Sequence, residues 1–239
     1  MGHPLAPDPP ADVTWAGCLA DKFSTALTQR PVRLVLASAS PGRLATLHRA
    51  GIVPEVIVSG VDEDLEETDP GRHALALAER KADAVLAGLG DQVDGDLGTD
   101  RLVLGCDSVL ELDGAIHGKP ADAAEATDRW RRMRGRSGSL HTGHCLVHVG
   151  TGRRIAQVAA TMVTFAAITD AEIAAYIGTG EPLRVAGAFT LDGLGGPFVE
   201  RIDGDPHNVV GLSLPLLRTM LAELGVAWTS LWSAEPTPP

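Results

Sequence analysis

The chain has 239 residues, with 20 Lys and Arg against 31 Asp and Glu, a formal charge of −11. Apolar residues at 44% and charged residues at 21% are ordinary values for a globular protein with a sizeable core. An acidic chain with 4% aromatics repels phosphate backbones and offers few stacking platforms, which excludes a general nucleic-acid-coating role but leaves a small anionic substrate open.

Residues 1–31, with Pro4, Pro7, Pro9 and Pro10, read as a poorly ordered tail, residues 32–226 as one domain and residues 227–239 as a second tail. Ala16-Gly-Cys18 lacks the basic and apolar regions of a leader, and no stretch reaches the roughly 18–20 apolar residues of a membrane span. Cys18, Cys106 and Cys145 form no CxxC pair, which argues against a disulfide framework or a zinc knuckle. The expectation is a cytoplasmic protein without a membrane partner.

A short apolar run over 33–37 predicts a buried strand, followed by a helix that ends at Ala50 and Gly51. A second strand is expected over 56–58, then an acidic, solvated loop over 61–69. The helix predicted over 73–89 carries an apolar stripe of Leu75, Ala78, Ala82, Val85 and Leu89. After a Gly- and Asp-rich loop over 90–100, a strand over 102–106 is expected to end at Asp107, and Asp113-Gly114 marks a hairpin. A helix over 123–133 turns Ala126, Trp130 and Met133 inward. Further strands are expected over 145–149, 157–165, 198–202 and 209–210, with short helices over 170–177 and 214–224. This order predicts an α/β or α+β sheet with two lobes.

Familiar nucleotide motifs are absent. Gly114 to Pro120 has three residues between its glycines and a proline where a P-loop needs Ser or Thr. No GxGxxG opens a helix after a strand, and His144 and His148, four apart on a strand-like run, read as packed or solvated histidines.

Several residues carry chemistry of their own. Ser38 to Arg43 lies where a strand gives way to a helix, a place that favours anions. Ser40 suits the cap, Pro41 the first turn, and Arg43 either forks onto a phosphate or decorates the surface. Asp107 either binds a divalent metal or takes a proton from water, or else caps the next turn. Lys81, beside the apolar stripe, needs an anionic partner, Glu63 or a ligand. Lys119 suits a phosphate or solvent, and the run from Arg129 to Arg136 suits a solvated surface whose last arginines, Arg134 and Arg136, can reach a substrate.

Together, Leu36-Ala-Ser-Ala-Ser-Pro-Gly-Arg43, Val61-Asp-Glu63, Gly105-Cys-Asp-Ser108 and Gly118-Lys-Pro120 resemble the Maf family of nucleoside triphosphate pyrophosphatases. Thr142-Gly143, Thr161 to Phe165, Gly180-Glu-Pro182, Ala186 to Gly196 and Asn208 to Leu212 extend the resemblance over about residues 33–224. It implies an α/β, two-lobed mixed sheet with flanking helices and a central cleft, similar to inosine triphosphatases. It implies cleavage of the α–β phosphoanhydride to monophosphate and diphosphate with Mg²⁺ or Mn²⁺, a house-cleaning of nucleotide pools. By resemblance, Asp107 is general base or metal ligand, Glu63 sits near the metal, and Ser40, Arg43, Lys81 and Lys119 hold phosphates. A homodimer is expected on the same ground.

Gly42 and Ala76 stand where the family typically has arginine, and Asp192 stands for a glutamine among the substrate-binding residues. Arg134-Gly-Arg-Ser-Gly138 replaces a Ser-Gly-x-x-His pattern. Asp107-Ser108 resembles the Asp-Thr of the dTTP- and UTP-cleaving branch, whereas the 7-methyl-GTP branch often has Asp-Gln. Alternatives are therefore a 7-methyl-GTP pyrophosphatase and a non-catalytic nucleotide-sensing or partner-binding module linked to cell-division arrest.

Overall fold

Strand β1 (Arg33–Leu36) is a run of apolar residues, and Leu34, Val35 and Leu36 are all buried. It belongs to a computed structural model that describes residues 32–89 and 101–233. The expected tail 1–31, with Cys18, and the expected loop 90–100 lie outside the described residues. The remaining elements are α1 (Pro41–Arg49), β2 (Glu55–Val56), α2 (Pro70–Leu89), β3 (Arg101–Leu112), β4 (Ala115–His117), α3 (Ala123–Met133) and β5 (Ser137–His148). After them come β6 (Arg154–Phe165), α4 (Asp170–Gly178), β7 (Val199–Asp203), α5 (Pro206–Val210) and α6 (Leu214–Glu223).

The strands make one mixed sheet in the order β2-β1-β3-β5-β6-β7, with β4 paired to β3. β1 is parallel to β2 and β3, whereas β3, β5, β6 and β7 form an antiparallel meander. Helix α2 lies against β3 and β5, its Ala78, Ala82 and Val85 meeting Val35, Val103, Cys145 and Val147. Alternate residues Leu34, Leu36, Leu102 and Leu104 fill a separate core with Leu217, Met220 and Leu221 of α6. A third cluster surrounds the fully buried Trp130, whose ring meets Phe165, Tyr176 and Phe198 edge to face. The expected α/β class is observed.

Two glycines set the depth at which α2 sits. A Cβ on Gly105 would lie 2.1 Å from the Ala78 carbonyl oxygen, and one on Gly143 2.3 Å from that of Ala74. Any side chain there would lift the helix from the sheet. The buried face includes Ala74, Leu77 and Lys81, while Leu75, expected in the stripe, is only partly covered. The face turned to the strands runs through Ala74 and Ala78, whose carbonyls meet the two glycines, rather than through Leu75.

β3 does not end at Asp107. Its pairing with β5 runs from Leu102 opposite His148 to Glu111 opposite Ser139, so Asp107 lies mid-strand. Its neighbour β1 stops instead, with Leu36 opposite Leu104 and one more bond from the Ala37 amide. Along β3, Leu102, Leu104 and Cys106 enter the first core and Leu110 and Leu112 the Trp130 core. Asp107 and Ser108 fall at the junction.

Other boundaries also move. The strand expected over 56–58 is the pair Glu55–Val56, and Val58 is exposed. β5 begins at Ser137 rather than 145 and β6 at Arg154 rather than 157, because long antiparallel pairing carries polar residues such as Ser139 and His141. Residues 209–210 belong to α5, capped by Asp205 and closed by Gly211 at φ 112, so local capping overrides two β-branched valines. Part of the tail expected over 227–239 is structured: Trp228–Leu231 form a 3-10 turn with Leu231 buried, and the Ser233 amide bonds to the Gly51 carbonyl, while residues 234–239 lie outside the described residues. No described helix is long and apolar enough to cross a membrane.

Candidate active site

Ser40 is extended, and its Oγ accepts from the Arg43 amide, with Pro41 in the first turn of α1. This is the cap expected from the residues. Arg43 is not a surface side chain. It is 7% exposed, donating from Nε to the Gly211 carbonyl (2.7 Å), from Nη1 to Ser38 Oγ (3.0 Å) and from Nη2 to Ser108 Oγ (2.9 Å). Among the described residues no carboxylate forms an ion pair with Arg43. A buried guanidinium held by three neutral oxygens has two further N–H groups to offer an anion. Ser108 passes the contact on to Thr142, which donates to the Asn208 carbonyl.

On the other face of β3, Asp107 meets Lys81, with Nζ to Oδ1 at 2.6 Å. The same Nζ lies 2.6 Å from Glu63 Oε1, and Lys119 Nζ lies 3.5 Å from Glu63 Oε2. Lys81 thus has two partners, Glu63 as foreseen and Asp107, which the sequence left unpaired. Both close contacts are charge-assisted and short. Burial pushes the pKa of Glu63 upward, but Lys81 and Lys119 outweigh it and hold the carboxyl below its usual range. Successive strand residues point to opposite faces, so Asp107 and Ser108 carry the Lys81 and Arg43 groups on two sides of one strand.

Lys119 is half exposed, and its turn is pinned from beneath. Arg129 is 2% exposed and donates to the Gly118 carbonyl and to Glu125, while the Gly187 amide also reaches Gly118. Arg129 is therefore a bolt rather than a solvated arginine. Arg134 pairs with Asp170 and Arg136 with Asp113, and neither lines the cleft. The expectation that they reach a substrate fails because nearer acids on the outer surface hold them.

Ser40, Arg43, Glu63, Lys81, Asp107, Lys119 and Asp192 all line one cleft of about 830 Å³. That volume suits a nucleotide-sized ligand. Asp192 is an exposed residue on the cleft lining, and its Oδ2 lies 3.8 Å from Arg49 Nη1. Gly42 has little room: a Cβ there would lie 3.2 Å from Val210 Cγ1, so an arginine would press on α5.

Sequence reasoning missed Glu181, quoted within a motif but given no role. Its Oε1 accepts from Tyr176 Oη (3.0 Å), Thr190 Oγ1 (2.5 Å) and the Gly195 amide (3.2 Å), and its Oε2 from the Leu194 amide (3.1 Å). Burial raises its pKa, but these bonds outweigh that and hold it low. The Gly-Glu-Pro spacing carried no sign of this, since three of the four donors lie nine or more residues away.

Other titratable groups are packed. His144 is fully buried and accepts from the Ser213 amide through Nε2, and burial lowers its pKa to about 4, so it stays neutral. Cys106 and Cys145 are free, buried thiols, pushed up to about 12 and about 11 by burial. Neither suits a nucleophile.

The donor set bears on a divalent metal. No group of three or more His, Cys, Asp or Glu among the described residues is arranged to hold an ion. Asp107 and Glu63 each give one oxygen to Lys81, and the second oxygen of Glu63 lies 3.5 Å from the half-exposed Lys119. Two carboxylates completed by substrate phosphates and water is a usual magnesium arrangement, so the residues fit a site shared with substrate rather than a resident cage.

Residues 33–224 match the family described as Maf-like protein. A protein of Salinispora tropica named nucleoside triphosphate pyrophosphatase is 62% identical over 213 residues, covering 87% of this chain and 92% of the relative. Relatives of the same name in Streptomyces coelicolor (57% identity, covering 84% of this chain and 95% of the relative) and Rhodococcus erythropolis (49%, covering 85% and 98%) align over similar spans.

Proposed function

The chain belongs to the Maf family, and we propose that it is a nucleoside triphosphate pyrophosphatase that cleaves the α–β phosphoanhydride, releasing nucleoside monophosphate and diphosphate. It is a hydrolase, the class of enzyme to which the pyrophosphatase name of its relatives belongs. The observation that carries the reading is Asp107, a carboxylate 7% exposed in a cleft whose other charged groups include Arg43, Lys81 and Lys119. A carboxylate among cations serves polyphosphate chemistry better than simple anion binding, where its charge opposes the ligand.

In this reading Asp107 accepts the proton of the water that attacks the α-phosphorus, and Lys81 holds the carboxylate at a fixed angle. Arg43 and Lys119 bind phosphate oxygens, and Ser40 presents the start of α1 to them. Asp107 and Glu63 would hold Mg²⁺ or Mn²⁺ together with the substrate, and the ion would neutralise charge on the phosphates. Asp192, also on the lining, contacts the substrate. We favour dTTP and UTP as substrates. Ser108 links Arg43 to Thr142 through one hydroxyl, a bond set that the related Asp-Thr pattern preserves and a glutamine does not.

A panel of nucleoside triphosphates with and without Mg²⁺ or Mn²⁺ tests this, with products separated by chromatography. Monophosphate and pyrophosphate should appear, fastest with dTTP or UTP and only with metal. Release of orthophosphate, or no turnover of any nucleotide, overturns it.

A further inference from the structure

The cleft has a wall that the phosphate chemistry does not use. Thr190, Leu191, Asp192 and Leu194 line it, and the segment 190–195 contains no Lys or Arg. Its one charged side chain, Asp192, is negative, so a phosphate has no reason to rest there. Leu194 is 59% exposed within the cleft, an apolar surface left open to solvent. A base or sugar ring gains by covering such a surface, and a phosphate does not.

This segment has no regular structure to keep it in place. The Glu181 carboxylate does so, bonding to Thr190 at one end and to the Leu194 and Gly195 amides at the other. The packing is close: a Cβ on Gly193 would lie 2.6 Å from Glu181 Oε2, and one on Gly195 2.3 Å from Tyr176 Oη. Tyr176 is buried in the Trp130 core and donates to the same carboxylate, tying the segment to the protein interior.

Building on the pyrophosphatase reading, we propose that Glu181 is a positioning residue that holds 190–195 as the wall for the nucleoside part of the substrate. It touches no phosphate. Its four hydrogen bonds place Leu194 and Asp192, which meet the base or sugar.

Binding separates this from a structural role. Wild type, Glu181→Gln, Glu181→Ala and Leu194→Ser are titrated by calorimetry with inorganic pyrophosphate and with dTMP, UMP and GMP in turn. For the monophosphate bound most tightly, Glu181→Ala should weaken affinity about tenfold, and Glu181→Gln, which keeps one acceptor, by less. Leu194→Ser, an exposed change that leaves the fold intact, should weaken the same ligand severalfold. Pyrophosphate affinity should stay within about twofold in every variant. Unchanged monophosphate affinity in both Glu181→Gln and Leu194→Ser, or equal losses for both ligands, overturns the assignment. If wild type binds neither ligand, the pyrophosphatase reading fails first and this one with it.

Discussion

Lys81 and Asp107 are 26 residues apart in the chain and 2.6 Å apart in space, and glycine makes the approach possible. Lys81 lies on α2 and Asp107 on β3, and the two elements touch where Gly105 leaves 2.1 Å between a would-be Cβ and the Ala78 carbonyl. The polar pair is thus set by the packing of small residues a turn away.

Gly105→Ala should therefore injure both stability and turnover. Overpacking at a backbone contact costs about 1–3 kcal/mol, and the helix can relieve it only by moving Lys81 off Asp107. Urea unfolding and initial rates check this together. A variant of wild-type stability and activity would show that the contact does not set the pair.

Asp107→Asn and Lys81→Met should differ in kind. Asparagine still accepts from Lys81, so the fold persists while turnover falls by about 10²–10⁴, the usual weight of a general base. Methionine leaves Glu63 and Asp107 facing each other without their shared cation, a loss of roughly 3 kcal/mol for a buried pair, less to the extent that Glu63 is exposed. Pyrophosphate release and thermal melts read the two effects separately.

Metal affinity should depend on nucleotide. With two carboxylates, both engaged by Lys81, the protein alone should bind Mn²⁺ weakly, and a non-hydrolysable triphosphate analogue should tighten binding by at least about tenfold. Mn²⁺ electron paramagnetic resonance with and without the analogue measures this. Tight binding to the protein alone would point to a resident site instead.

Stability should rise with pH across the histidine range. His144 has a folded pKa of about 4 against 6.5 unfolded, so between those values the unfolded chain binds the proton and the folded chain does not. Unfolding free energy therefore falls as pH drops from 6.5 toward 4 and is flat in this term above 6.5. His117 and His141, lowered by the same burial, act in the same direction. Urea midpoints over this window should show the slope, and His144→Gln should reduce it, leaving the part due to His117 and His141.

Capping and turn chemistry were legible in the residues. Ser40 and Pro41 start α1, Asp113-Gly114 turns β3 into β4 with both residues at positive φ, and residues 123–133 form α3 with Ala126, Trp130 and Met133 buried. These depend on neighbours within a few positions, so the sequence carries them directly. Strand ends were not legible. β3 passes Asp107 because β5 supplies partners, and residues 209–210 join a helix because Asp205 and Gly211 bracket them.

The sequence by itself determined the α/β class, most of the elements and, through the family resemblance, seven of the residues that line the cleft, because motif order and apolar periodicity are written along the chain. Only the tertiary structure decided how those residues pair. Arg43 is turned inward onto Gly211 and Ser108, Lys81 bridges two carboxylates, Arg134 and Arg136 turn to outer acids, and Glu181 holds a segment the sequence left without an anchor. Long charged side chains reach several angstroms from their backbone, so their partners are settled by which elements come together rather than by neighbours in sequence.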